Sequence, residues 1–504
     1  MWNAARESGY LANFSRGIYS TTVEPTPIPS SELVLPPSDP FTFDDKLSFP
    51  KDFMLGVAGS AGQIEGAVAD EGRTPTVLEI AGSIGGASNN FVTNENYYLY
   101  KQDIARLAAM GVKYYSFSIP WSRILPFVLP GTPVNQKALD HYDDLINTVL
   151  EYGMLPAVTL NHRDVPVMFL SDRPPQNITF GGYSTGYHNK QWTEAFVNFG
   201  KIVMAHFADR VPVWVTVGEP NLAMGTAQGG KNIMLAHAQL YKFYHDDIKG
   251  QGMVGIKFGY NYGAPLSPQN QADLEAVQRY NDINLGCIMN PLLLGENYPD
   301  SWIQLWNNTG QDFRLSPEEL SYVAGTMDYI GFDAYTAAVI SPLEDTQACI
   351  SNPSHPNWPL CVTQAEADQH GWAIGYRSNA YPYTTPSYFR ESLNYVWNTF
   401  KKPILVAEVG FPEFHEADKQ LQDQLFDSAR SVYFRSYLNA MLEAIHYDNV
   451  HILGIHAWSF VDNWEFGDFS QHYGLQAVNL TTQQRFYKKS FFDFVDFYRQ
   501  RSFQ

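Results

Sequence analysis

Cationic side chains are scarce in this chain. Lysine and arginine together number 33 against 52 aspartates and glutamates, a net charge of −19. A surface of that sign repels phosphate backbones and no basic block interrupts it, which argues against nucleic acid as a partner. Cysteine is scarcer still, three in 504 residues, too few for a disulfide scaffold. Cys349 and Cys361 could nevertheless bridge the loop between them, and a bridge there would favour an oxidising compartment. No apolar stretch approaches the length of a bilayer span, so no membrane insertion is expected. Residues 1–16 lack the apolar core of a secretory signal; either the protein stays inside the cell or a signal was removed. A secreted setting is the expectation, with the cytoplasm as the alternative. The chain also lacks a metal-ligand cluster, a phosphate-cradling glycine loop and a covalent cofactor site, so no metal and no cofactor is expected. Sequons at Asn13, Asn177, Asn307 and Asn479 are no more than chance supplies in a chain of this length.

What is abundant is apolar and aromatic: 45% hydrophobic residues, enough for a large core, and 15% aromatic residues. Residues 1–45 show little periodicity and carry proline clusters, which reads as an extended arm before a catalytic domain over 46–504. Beyond it, short β-branched runs recur at 53–59, 112–119, 155–160, 213–218, 254–261, 329–333, 404–407 and 452–458. Stretches with apolar residues at helical spacing lie between them, for example 97–110, 138–152, 192–208 and 421–445. Eight strand–helix units predict an α/β fold, a single (β/α)₈ TIM barrel, with chemistry at the carboxyl ends of the strands. Long interruptions at 163–190 and 336–385 fall at that end and read as lids or specificity walls.

Two of the apolar runs end in glutamate, Glu219 after the fourth strand and Glu408 after the seventh. A carboxylate at the end of a buried strand is costly unless partnered. One such glutamate alone is more often an ion-pair partner than a catalyst. Two, converging on one barrel mouth, are the minimum equipment for hydrolysing a glycoside.

Several segments in order resemble glycoside hydrolase family 1, the β-glucosidase family. Residues 53–66 (FMLGVAGSAGQIEG) are similar to its amino-terminal signature, 115–126 (YSFSIPWSRILP) to its second strand and 159–166 (TLNHRDVP) to its third. The Glu219 and Glu408 runs look like its two catalytic strands, and 457–466 (AWSFVDNWEF) with 473–475 (YGL) like its sugar-binding tail. The resemblance implies a retaining β-glycosidase acting on small-molecule glycosides or short oligosaccharides through a covalent glycosyl-enzyme, without a cofactor. It implies Glu219 as acid/base, held protonated by burial and by the charge of Glu408, with Glu408 as nucleophile and Tyr335 as the hydroxyl bonded to it. Gln63, His162 and Glu465 would hold sugar hydroxyls, Trp458 would lie under the ring, and Arg163 and Phe466 would complete the pocket.

The pattern is broken at the site itself. The family expects arginine at Ser116, asparagine at Gly218, tryptophan at Arg163, asparagine at Asp333, tryptophan at Phe466 and asparagine at Val409. Losing a cation at 116 and gaining an acid at 333 should both raise the pKa of Glu408. Arg163, on the neighbouring third strand, is expected to supply the missing charge to Glu408, Asp333 or both. Two other readings stay open: a carbohydrate-binding pseudo-enzyme, favoured by the altered residues, and a transglycosidase using the same intermediate.

Overall fold

In the computed structural model, the described residues are 46–502 except 82–87, 171–185 and 308–312, together with 34, 41 and 43. Apart from those three positions the expected arm therefore lies outside the described residues, as do most of the interruption after the third strand and the sequons at Asn13 and Asn177.

Eight parallel strands close into a barrel: β1 (Met54–Ala58), β2 (Tyr114–Ser118), β3 (Leu155–Asn161), β4 (Val213–Gly218), β5 (Met253–Gly259), β6 (Tyr329–Asp333), β7 (Ile404–Val409) and β8 (Ile452–Trp458). Each pairs with its neighbour in sequence and β8 closes on β1, the order expected from eight β–α repeats. Every one of the eight expected runs is a barrel strand. Three of them, 213–218, 329–333 and 452–458, have the expected bounds; the others differ by a residue or two, and β7 runs on through Glu408 to Val409.

Alternation along the strands separates two apolar layers. Ala157, Val213, Val215, Tyr329, Leu405 and Ala407 fill the lumen below the site, with Met54, Tyr114, Met253 and Leu453 packed on them. The intervening strand residues, such as Val158, Trp214, Ile256, Ile330 and Val406, join the surrounding helices in the main core. Those helices include Asn96–Met110, Gln136–Glu151 and Trp192–Phe207, near the expected bounds. The stretch read as one helix over 421–445 is two, Leu421–Leu425 and Ser428–Tyr447. Asp427 breaks it: its buried carboxylate accepts from Arg430 Nη1 (2.6 Å) and from the backbone nitrogen of Ser490 (2.8 Å), so the chain turns to serve that junction.

The interruption after β6 is built rather than irregular. Tyr262–Pro265, Ala337–Pro342 and Val362–Ala365 form a three-stranded sheet at the mouth of the barrel. A disulfide joins Cys349 to Cys361 across a Cα separation of 5.7 Å. Among the described residues no helix is long and apolar enough to cross a membrane.

Candidate active site

Strand ends place the acids. Glu219 follows β4 in the left-handed region (φ 49°), and its backbone nitrogen donates to Lys257 O (2.7 Å), which ties the turn to β5. Glu408 lies in β7 opposite Asp333, the last residue of β6. One carboxylate oxygen from each of Glu219, Asp333 and Glu408 lies within 4.8 Å of the others. That approach is closer than the about 6.5–9.5 Å that separates the carboxyl groups of an inverting pair.

These acids line a cavity of about 400 Å³ at the carboxyl end of the barrel. Its other walls include His162, Arg163, Tyr335, Trp458, Glu465 and Phe466, all expected site residues. Tyr473, from the expected sugar-binding tail, also lines it, and Tyr260 and Tyr381 add rings that the sequence reading did not single out. Such a lining combines apolar ring faces with hydroxyls and carboxyls, which suits a molecule with C–H faces and hydroxyl edges.

The polar contacts are specific. Tyr335 Oη donates to Glu408 Oε2 (2.8 Å), and the carbonyl of Tyr335 accepts from Tyr433 Oη (2.9 Å) and Tyr437 Oη (3.0 Å). That tyrosine is therefore held from behind. Trp458 Nε1 donates to Glu465 Oε1 (3.1 Å), and the His162 ring stacks on Trp458 at 5.8 Å with an 11° interplanar angle. Gln63 does not line the cavity. Its amide nitrogen donates to Trp464 O (3.0 Å) and Glu465 Oε2 (3.3 Å), while its oxygen accepts from Ser60 Oγ (2.6 Å). In this arrangement it fixes Glu465 from the rear.

Charge compensation differs from the expectation. Arg163 does not turn to Glu408 or Asp333; Arg163 Nη2 donates to Glu219 Oε2, and its guanidinium lies 5.5 Å from the Phe466 ring centroid. Arg163 has φ 64°, a left-handed turn that aims its side chain toward the end of β4 rather than back to β2. The cation at Glu408 is Lys257 of β5, whose Nζ donates to Glu408 Oε1 and sits 3.6 Å from Asp333 Oδ2. Sequence reasoning missed it. The signal was present, a lone lysine inside the apolar run Val254-Gly255-Ile256-Lys257-Phe258, where an unpaired ammonium would be expensive.

Burial sets the protonation. Burial pushes the Glu408 carboxyl above its ordinary range, opposed by the Lys257 ammonium and reinforced by Glu219. Asp333 is pushed much further up, by burial and then by the Glu408 charge. Burial also takes Glu465 up to about 8 and His162 well below its usual value, so His162 is neutral and its 4.0 Å approach to Glu408 is no ion pair.

A second cavity, of about 410 Å³, adjoins the first through the shared residues Leu222 and Asn284. Trp302, Trp306 and Trp358 line it, the last from the disulfide-closed loop.

An eight-stranded parallel barrel with facing carboxylates over an aromatic floor defines a carbohydrate-processing enzyme. Residues 45–503 match the model of glycosyl hydrolase family 1. Beta-glucosidase 1B of Phanerodontia chrysosporium is 31% identical over 88% of this chain and 84% of its own, and beta-glucosidase 42 of Arabidopsis thaliana is 32% identical over 86% and 90%. A family 1 beta-glucosidase from Humicola insolens, solved in complex with glucose, superposes with a TM-score of 0.81 at 28% identity, covering 90% of this chain and 98% of that one. The chain belongs to glycosyl hydrolase family 1.

Proposed function

We propose that this glycosyl hydrolase is a retaining β-glucosidase that releases terminal β-D-glucosyl residues from glucosides or short oligosaccharides. The observation that carries this reading is the close approach of Glu219 and Glu408, with the hydroxyl of Tyr335 bonded to Glu408. In the proposed first step a Glu408 oxygen attacks the anomeric carbon as the glycosidic bond breaks, and Glu219 gives its proton to the leaving oxygen. The product is a glucosyl ester of Glu408. Glu219, now a carboxylate, takes a proton from water, the water oxygen attacks the same carbon, and the ester bond breaks. Two inversions retain the β configuration. The guanidinium of Arg163 suits Glu219 in the second step, where it is an anion, better than in the first.

In this reading Trp458 lies under the sugar's apolar face, His162 and Glu465 bond its hydroxyls, Phe466 bounds the pocket, and Gln63 acts through Glu465. The Cys349–Cys361 bond supports an oxidising, extracellular setting. The 1–45 segment is proposed as an arm outside the catalytic domain.

The Arg163–Glu219 pair also favours a second reading, a sugar-binding barrel with little turnover. One experiment separates them: hydrolysis of an aryl β-glucoside from about pH 4 to 8, following the anomer first released by NMR, with Glu408→Ala as control. Release of β-glucose that disappears in the variant supports the proposal. Release of α-glucose, or turnover surviving the substitution, overturns it, and saturable binding without turnover leaves the binding protein.

A further inference from the structure

Lys257 occupies a slot that its neighbours leave open. Across the sheet it lies in register with Gly218 of β4 on one side and Gly331 of β6 on the other. A Cβ at 331 would stand 2.6 Å from Lys257 Cβ, a distance that real side chains do not tolerate. A Cβ at 218 would stand 3.0 Å from Lys257 Cε and 3.3 Å from His162 Nδ1, in the path of the lysine's stem. The stem threads between two strands because neither carries a side chain there. It ends on Glu408 Oε1, while Tyr335 takes Oε2, so the two oxygens of one carboxylate are held by different donors from β5 and from just beyond β6.

Among the described residues, Lys257 and the neutral His162 are the basic side chains within 4.0 Å of Glu408. Arg163 is committed to Glu219. Lys257 is 4% exposed and Glu408 3%, so solvent contributes little to balancing the carboxylate. Asp333, whose nearer oxygen is 3.6 Å away, shares the ammonium's charge, and the short hydrogen bond goes to Glu408.

We propose that Lys257 positions Glu408 and keeps it ionised for attack, and that Gly218 is the permissive residue whose missing side chain admits it. The inference rests on the proposed function, since it assigns a helper to that nucleophile. In the attacking state the ammonium stabilises the carboxylate and fixes which oxygen is turned toward Tyr335. Charge at Glu408 is consumed when its bond to the sugar forms, so the pair acts before and after the covalent stage, not during it. Gly218 and Lys257 then behave as one unit: crowding the first disturbs the second.

The test uses Lys257→Met, Lys257→Arg, Gly218→Ala and the double variant Gly218→Ala/Lys257→Met, on the full chain. Lys257→Met should lower kcat by on the order of 100-fold with a small change in KM. It should also move the acid limb of kcat/KM to higher pH by about one unit or more, because Glu408 loses its cation. Lys257→Arg should recover part of the rate and return the limb toward its original position. Gly218→Ala, a small change expected to fold, should displace the limb in the same direction by pressing on the stem. That effect should vanish in the Lys257→Met background, a non-additive cycle.

An unmoved acid limb in Lys257→Met, or an additive cycle, would overturn the proposal, because a purely structural lysine would change only the melting temperature. Labelling with a 2-deoxy-2-fluoroglucosyl fluoride separates this from the parent reading. If the unsubstituted protein gains no glucosyl mass on the Glu408 peptide, the glycosidase reading itself fails. If it labels, and Lys257→Met labels at the same rate with the same pH dependence, only the assignment of Lys257 falls.

Discussion

Arg163 Nη2 bonds Glu219 Oε2, joining a guanidinium from the end of β3 to the carboxylate that follows β4. The cation therefore serves the proposed acid/base rather than the proposed nucleophile. In that mechanism Glu219 hands a proton to the leaving oxygen, and the bond from Arg163 fixes the orientation of its carboxyl group. Arg163→Met should release Glu219 and lower kcat/KM more for an alkyl glucoside, whose departure needs that proton, than for a dinitrophenyl glucoside. Kinetics of the variant on the two substrates check this, and an equal loss on both would place the arginine's effect on Glu408 instead.

Glu219→Gln keeps the shape of the side chain and removes its proton chemistry. The value of kcat/KM, which reports the first step, should fall by about 10²- to 10⁴-fold for an alkyl glucoside and much less for a dinitrophenyl glucoside, whose leaving group needs no proton. Comparing kcat/KM across aryl glucosides of graded leaving-group pKa reads the difference directly.

Glu465 should make the fold sensitive to alkali. Burial holds its carboxyl at about 8 in the folded protein against an ordinary value of 4.5. Between those values the folded state keeps a proton that the unfolded state gives up, so stability is full below the ordinary value and is lost as pH rises to about 8. Glu408 and Asp333, also raised, act with the same sign. Glu465→Gln should flatten the fall in melting temperature between about pH 5 and 8, by roughly one or two degrees. Calorimetry at both pH values measures it.

The disulfide-closed loop should matter for the aglycone more than for the sugar. Cys349 and Cys361 are 12 residues apart, and a loop of that size gains about 3 kcal/mol from its crosslink. Replacing both with serine should loosen Pro353, Trp358 and Leu360, which line the second cavity, while leaving the barrel strands in place. KM for a bulky aryl glucoside should rise several-fold and kcat for a small one should hold. Parallel kinetics on the two substrates test the split.

The barrel was legible in the chain because each of its strands is an apolar run of the right length followed by turn formers, and helical spacing fills the intervals. Such signals are local. The same holds for Glu219 and Glu408, since a glutamate at the end of a buried run is anomalous wherever the run packs. Tyr335, His162, Trp458, Glu465 and Phe466 were reached through a resemblance spread over the chain, and the barrel collects them around one cavity. Gln63 was reached the same way but stands behind Glu465, because whether an amide faces a pocket or a neighbour depends on packing. The single helix read over 421–445 failed for a like reason: Asp427 is buried against Arg430 and Ser490, a junction invisible to periodicity.

Charge pairing was the part that only the tertiary structure decided. Arg163 lies just past β3 and Lys257 within β5, and which carboxylate each reaches depends on a left-handed turn at one and on the empty positions at Gly218 and Gly331 beside the other. Sequence determines which side chains a barrel must accommodate and on which strands they stand. Register, the bulges of β4 and β7 and the volume left by two glycines determine which of them meet, because an ion pair is a matter of a few ångströms between atoms far apart in the chain.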